Sequence, residues 1–592
     1  RVCSFLERVF PACVSGRESH PVQAFASLME PDTEAQKQEG GIKEHEGTIP
    51  EDQPTAPCEL RSIFAYFGGG APVANVLLIF LPLLVLTQAK YEASTNNEFI
   101  EWRLDLIDGD LCNMTGTPNP AGSPEAYVKP DGYDKGCRWF PVNKNVPGVD
   151  VDYTGVMIFG SVISMILSAI CLVTLGPLPD FKTLRFPILM YSTMLWVVML
   201  AIIPAFASTG AWIGPLVLMS VASAAWALSF ESCISGYVMV AIWNHADLQP
   251  LRTDPNVAAS IRELGAVKKE GGVASLKDAD AAEKIEEYLR ISESLSVRIN
   301  MIGSLCFISF QFITLLIQVV IVYILEPDEA DPKDTLGLRM AVLSVAVVAI
   351  PVLALSLFWM KKRRGPEFPT KGSIFLIGAR RAIETTKLLY KELPELLLFI
   401  TGRILVWMTT SALLQTAVLF LEREFAMEGS EIIGMILYYM VIGVLANVTF
   451  YMIASTMNSF MKPAIILMCC LGQFVPFYLL FGVREKWEVF IWFTVGSVSL
   501  SPMNAMMKSY MVELIPKGYS SAVNSLDGCF ETITAWIGPL VAGIVFTATD
   551  SLRWGMFASS IFAFIGIPVL MKISREKAVA QRHLLEDKHC IL

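Results

Sequence analysis

The stretch IPVLALSLFWMKKRRGPEFP, residues 350–369, changes character in one step. Through Met360 it is apolar enough for the interior of a bilayer. From Lys361 it carries four consecutive basic residues and then Gly365 and Pro366. A helix needs about 20 apolar residues to cross the hydrocarbon layer, and this stretch ends one such run, residues 336–360. Lys and Arg in short loops mark the side that faces the cytoplasm. The same twenty residues therefore set a helix end, a break in the chain and an orientation.

Working outward from this break, twelve runs are long and apolar enough to span. They fall at 64–88, 153–175, 186–206, 212–243, 298–325, 336–360, 396–420, 431–456, 462–482, 487–513, 520–547 and 553–572. Six spans, a basic linker over 361–395 and six more spans predict an all-α integral membrane protein with twelve helices in two halves. That is the outline of a major facilitator. The composition agrees: of 592 residues, 53% are hydrophobic and 17% charged, against about 25% charged in soluble domains. A formal net charge of −10 argues against a nucleic-acid partner. The lipid bilayer and a small solute remain as partners, in a chain read as a monomer.

The segment plan follows. Residues 1–59 are charged, rich in Pro and Gly, and predicted as a disordered cytoplasmic tail. Residues 60–244 hold the first four spans, 245–297 a cytoplasmic loop with a short surface helix over 279–295, and 298–360 spans five and six. The second half covers 396–573, and 574–592 form a second cytoplasmic tail. The loop between spans five and six, EPDEADPKD, is acidic, whereas the 361–395 linker is basic. Loop 89–152 then faces a lumen or the exterior. It carries the sequon Asn113-Met114-Thr115, a glycosylation candidate. It also carries Cys112 and Cys137, which an oxidising compartment could pair as a disulfide.

The loop after span two, GPLPDFKTLR, places Gly176, Asp180 and Arg185 in the spacing of the superfamily's loop signature. Glycine permits a tight turn, and the aspartate can cap a helix or pair with a basic neighbour. Other stretches are similar to one family within the superfamily: Ile350 and Pro351 near the end of span six, Arg364-Gly365-Pro366, Leu514-Ile515-Pro516, Trp536-Ile537-Gly538-Pro539-Leu540 and Arg553-Trp554-Gly555. YLRISESLSVRINMIGS, residues 288–304, matches too. Together these resemble the autophagy-related vacuolar amino-acid effluxers, in order along residues 60–575. The chain departs from that family at Ala71, where an acidic residue is expected, and in LVWMTTSALL, residues 405–414, which lacks an Asp-Gly. The resemblance implies efflux of amino acids from a vacuole or lysosome-like organelle.

Inside the spans the polar residues are few. Glu231 interrupts AWALSFESCISGYVMV, residues 225–240, and shares a helix face with Ala224, Ala227, Ser235 and Val238. A charged side chain at mid-membrane costs roughly 2.5 kcal/mol or more, and such residues face a partner or a cavity. Ser235 supplies a hydroxyl one turn away, and two readings stand: an inter-helix hydrogen bond, or a cavity-facing group for a proton or an amine. Either Glu531 or Asp527 on span eleven suits an ion pair with Lys508 on span ten. Arg403 suits a substrate carboxylate or an interfacial, snorkelling arginine. Asn75, Asn300, Asn504, Gln311 and Gln415 offer neutral donors and acceptors. All five histidines, at 20, 45, 245, 583 and 589, lie outside the spans. No histidine metal site is expected in the membrane, no P-loop or dinucleotide fingerprint appears, and no cofactor or enzymatic activity is implied.

The resulting expectation is a secondary transporter working by alternating access, with Glu231, Arg403, Asn75, Asn504, Lys508 and Glu531 as candidates for transport or proton coupling. A facilitator for another solute (a sugar, folate or drug) and a non-transporting sensor of the same fold are the alternatives.

Overall fold

The computed structural model describes residues 48–50, 53–81, 83–85, 88, 101–105, 138–142, 153–206, 212–248, 250–251, 279–325, 335–367, 373–425, 427, 429–456, 461–549 and 551–588. Among these, eleven helices are long and apolar enough to cross a membrane. They are Val162–Asp180, Arg185–Ala205, Ile213–Trp243, Glu283–Leu325, Leu336–Trp359, Pro394–Ala417, Glu431–Ile453, Met461–Phe481, Glu488–Leu514, Ser520–Phe546 and Leu552–Lys572. These are numbered two to twelve below. A helical run over residues 57–81, built from Pro57–Gly70, Pro72–Asn75 and the π-helical Val76–Phe80, takes the first place.

Spans one, three, five and six pack together, as do two and four, and span three joins span four. In the second half, span seven packs on twelve, and span ten on both eight and nine. The halves meet along two seams. Span five runs against eight and ten, and the first part of span eleven lies on spans two and four. The later part of span eleven, Ile537–Thr549, packs instead on spans seven and twelve of its own half. The halves therefore converge at the end that carries the 361–395 linker, called here the linker end.

Four boundaries differ from expectation. Span one starts at Pro57, not 64, because proline suits the first helical turn and Glu59 in that turn is neutralised: Arg363 donates to both its oxygens, at 2.7 and 2.8 Å. The residues expected as a tail end in order, since strand Thr48–Pro50 pairs in parallel with Lys362–Arg364. The surface helix expected over 279–295 is no separate element. It is the start of one 47-residue helix, Ala279–Leu325, that runs on into span five. The linker, read only as a basic stretch, contains an amphipathic helix, Ile374–Glu392.

A C-terminal helix, Arg575–Lys588, closes the linker end. Arg575 bonds Glu293 on the extension of span five and Glu513 at the end of span ten, the latter at 2.7 and 3.0 Å. Burial opposes a charge on Arg575, but the two carboxylates prevail and hold its pKa above the ordinary value. Loop 89–152 contributes an antiparallel pair, Glu101–Asp105 with Arg138–Val142. Cys112, Asn113 and Cys137 lie outside the described residues, as do residues 1–47 of the tail.

Candidate functional site

Span four is not a regular α-helix where Glu231 lies. Leu228–Ile234 form a π-helical segment, a wide turn often found at functional sites. The Ser235 hydroxyl is taken up locally, donating to the Phe230 carbonyl at 3.0 Å, so it does not serve Glu231. The carboxylate turns instead across the seam between the halves. Its Oε2 accepts from Lys508 Nζ of span ten at 2.6 Å. The approach is possible because span eleven presents Gly528 at this height: a Cβ there would lie 3.0 Å from Glu231 Cβ.

Lys508 reaches further, to Asp527 Oδ2 at 3.4 Å. Asp527 is fully buried and holds Arg403 of span seven in a bidentate pair, Nε to Oδ1 at 3.0 Å and Nη2 to Oδ2 at 2.5 Å. Arg403 Nη2 also donates to Glu531 Oε2. Five charged side chains on four spans thus form one chain of contacts: Glu231, Lys508, Asp527, Arg403, Glu531. Only Glu231 belongs to the first half. Three carboxylates face two cations, so a single added positive charge would balance the cluster. The two ends are partly open, since the side chains of Glu231 and Glu531 are 26% and 18% exposed, while Arg403 is 2% exposed. The charges least able to move are therefore at the centre, and those that can meet a solute are at the ends.

Just towards the linker end lies the seat of span eleven. Asp180 Oδ1 accepts from Arg185 Nη2 at 3.2 Å, Ser520 Oγ at 3.0 Å and the Ser521 backbone N–H at 2.8 Å. Its Oδ2 accepts from the Ala522 N–H at 2.8 Å. A carboxylate in the first half thereby caps a helix of the second, where orphan N–H groups and the helix dipole both favour it. Gly176 explains the closeness, because a Cβ there would come within 2.3 Å of Ser525 Cβ.

The remaining candidates fall elsewhere. Asn75 is buried between spans one and five, donating to the Gln311 carbonyl at 2.8 Å and to Gln318 Oε1 at 3.4 Å. Asn504 is exposed one turn before Lys508. Asn300 bonds the Ser296 carbonyl of its own helix. Gln415 is exposed. Arg403 is neither interfacial nor open to solute. It is the clamp at the centre of the cluster, because two carboxylates one turn apart on span eleven face it. Of the two alternatives for Lys508, the structure brings Asp527 to it at 3.4 Å, adds Glu231 and leaves Glu531 to Arg403. The spacing of Asp527 and Glu531, four residues apart on one helix face, was the visible signal for this clamp.

A family described as "Vacuole effluxer Atg22 like" matches residues 133–583. Autophagy-related protein 22-2 of Neosartorya fischeri is 21% identical over 596 residues, covering 90% of this chain and 92% of that protein. Autophagy-related protein 22-1 of Aspergillus clavatus is 23% identical over 282 residues, covering 43% of this chain and 46% of that one. With that relative and with the Autophagy-related protein 22 of Yarrowia lipolytica, the match spans about half the relative's length. Among solved structures, the human organic anion transporter MFSD10 aligns with a TM-score of 0.51 at 12% identity, over 87% of this chain and all of that one. The proton:xylose symporter XylE aligns with a TM-score of 0.53 at 11% identity, over 89% and 99%. At such identities the likeness is one of fold, the major facilitator fold.

Proposed function

The chain belongs to the vacuole effluxer Atg22-like family, and we propose that it moves small polar solutes, amino acids foremost, out of a vacuole or lysosome-like compartment by alternating access. The fold is that of a transporter. The observation that carries the finer reading is the contact between Glu231 and Lys508, the one link of the charged cluster that crosses between the halves. Basic residues at the linker end argue that this end faces the cytoplasm. The state described is then closed to the cytoplasm, by the Asp180 seat and by Arg575.

The chemistry of the cluster suits a zwitterion. Opening the linker end must part Glu231 from Lys508, which leaves two opposite charges in a poorly hydrated site. An amino acid carries an ammonium that can replace Lys508 at Glu231, and a carboxylate that can replace Glu231 at Lys508. Binding then offsets the loss of the pair, and a ligand shifts an equilibrium only through such differential contacts. A proton on Glu231 would weaken the pair by a different route, by removing one of its charges. Counterflow in proteoliposomes, run with a panel of amino acids and with sugars and organic anions as rivals, tests the reading. Trans-stimulated exchange of amino acids supports it. Exchange confined to another solute class replaces the substrate, and ligand binding without exchange replaces the transporter with a sensor.

A further inference from the structure

The amphipathic helix of the linker, Ile374–Glu392, has two apolar faces and not one. Ile377, Ala382, Thr385 and Leu389 are buried against the bundle. On the other side Leu376, Ile383 and Tyr390 recur every seven residues, which keeps them on one line of a helix to within about 20° per repeat. They are 69, 56 and 75% exposed. Lys387 and Lys391 lie along one side of that line and are exposed as well, as is Arg380, which donates to Glu384 Oε1 at 2.9 Å.

Two contacts fix the height of this helix. Gly378 rests against the end of span two so closely that a Cβ would come within 1.8 Å of the Thr174 carbonyl oxygen. At its other end a single residue, Leu393, separates it from the helix that begins at Pro394 and becomes span seven. It is thus tied at both places to the linker-end tips of spans two and seven. Charge points the same way. The linker 361–395 carries nine Lys or Arg against four acidic residues, Glu367, Glu384, Glu392 and Glu395, in a chain of net charge −10.

We propose that helix Ile374–Glu392 lies in the surface of the bilayer at the linker end, with Leu376, Ile383 and Tyr390 at the acyl boundary and Lys387 and Lys391 holding the headgroups of anionic phospholipids. Helices of this pattern bind an interface by buried apolar area plus attraction to anionic lipid. The consequence is mechanical. On its inner side Gly378 touches the first half, while Arg381 reaches the second: its Nη2 donates to the Gly518 carbonyl at 3.2 Å and its guanidinium lies 3.9 Å from the centre of the Tyr519 ring. Lipid that holds the outer face holds both halves at their closed end, beside the seat of span eleven.

The test uses the full chain in lipid nanodiscs of phosphatidylcholine with a minority of phosphatidylserine. A fluorescent amino acid replaces Ile383. Quenching by lipids labelled near the headgroup, with shielding from aqueous iodide, is the expected result. Quenching by iodide with no effect of the lipid quenchers overturns the proposal and leaves the face to a soluble partner. In a second arm, Lys387→Gln and Lys391→Gln lower the phosphatidylserine retained per protein by roughly fivefold for each residue removed, from the usual contribution of a basic side chain near an anionic surface. Unchanged retention overturns the headgroup assignment. Neither readout needs a transported solute, so each stands or falls apart from the counterflow experiment.

Discussion

Glu231 and Lys508 meet at 2.6 Å from opposite halves of the molecule, and both side chains remain partly exposed, at 26 and 18%. Asp527 and Arg403, immediately behind them, are closed off at 0 and 2%. A movable pair is thus backed by a fixed one. The two pairs should respond differently to substitution.

Glu231→Gln removes one charge and keeps the shape of the side chain. Lys508 then keeps one carboxylate, Asp527 at 3.4 Å, and the neutral amide oxygen of the new side chain. The variant is expected to fold and to exchange amino acids in counterflow only at a raised half-saturation concentration, because their ammonium then meets a neutral amide, while accumulation driven by a pH gradient is lost. Full gradient-driven accumulation by the variant would mean that Glu231 holds the halves together and carries no proton.

Asp527→Asn strikes the fixed pair. Removing one partner of a buried ion pair destabilises by about 3–5 kcal/mol, because the other charge stays buried. The melting temperature should fall clearly in Asp527→Asn and little in Glu231→Gln. A larger fall in Glu231→Gln than in Asp527→Asn would reverse the assignment of fixed and movable pairs.

Asp180→Asn keeps the size of the cap but removes the charge at the start of span eleven. An amide oxygen can still cap, but the second oxygen that accepts from the Ala522 N–H becomes a donor, and Arg185 loses its counter-ion. The linker end should open more often. A cysteine replacing Met239, a residue buried in span four against Asn524, should react with a maleimide several-fold faster beside Asp180→Asn than beside Asp180. Equal rates would show that the seat does not govern closure.

The spans were legible because an apolar run of about 20 residues has few other uses. For the charged contacts that stayed hidden there is one cause: the deciding partner is remote in sequence. Arg403 resembled an interfacial arginine because Asp527 lies 124 residues away, and the target of the Asp180 cap lies 341 residues away at Ser521. The charges Glu59 and Arg61 masked the start of span one, although Glu59 is neutralised by Arg363, 304 residues on. Helix Ile374–Glu392 was hidden differently. Its apolar residues divide between a face on the bundle and a face turned outward, so neither alone gave a clear periodicity. The π-helical turn at Glu231 has no sequence signature at all.

The last prediction concerns Gly528, which touches Glu231 without any charge of its own. A methyl group at this position would lie 3.0 Å from Glu231 Cβ and 3.1 Å from its Cγ. The obstacle is the root of the side chain, close to the backbone of span four, so it cannot swing aside. Gly528→Ala should shift spans four and eleven apart by a few tenths of an ångström, lengthening the Glu231 to Lys508 contact while leaving Asp527 on Arg403. Gly528→Leu is larger than any such adjustment, and packed interiors resist overfilling. It should wedge the linker end open. In the maleimide assay at position 239, reactivity should rise in the order Gly528, Ala, Leu. Gradient-driven transport should fall in the same order, with Gly528→Ala close to the parent in melting temperature. If Gly528→Leu stayed as closed as the parent, the contact between spans four and eleven would not be the moving seam, and the Glu231 to Lys508 pair would have to be read as static.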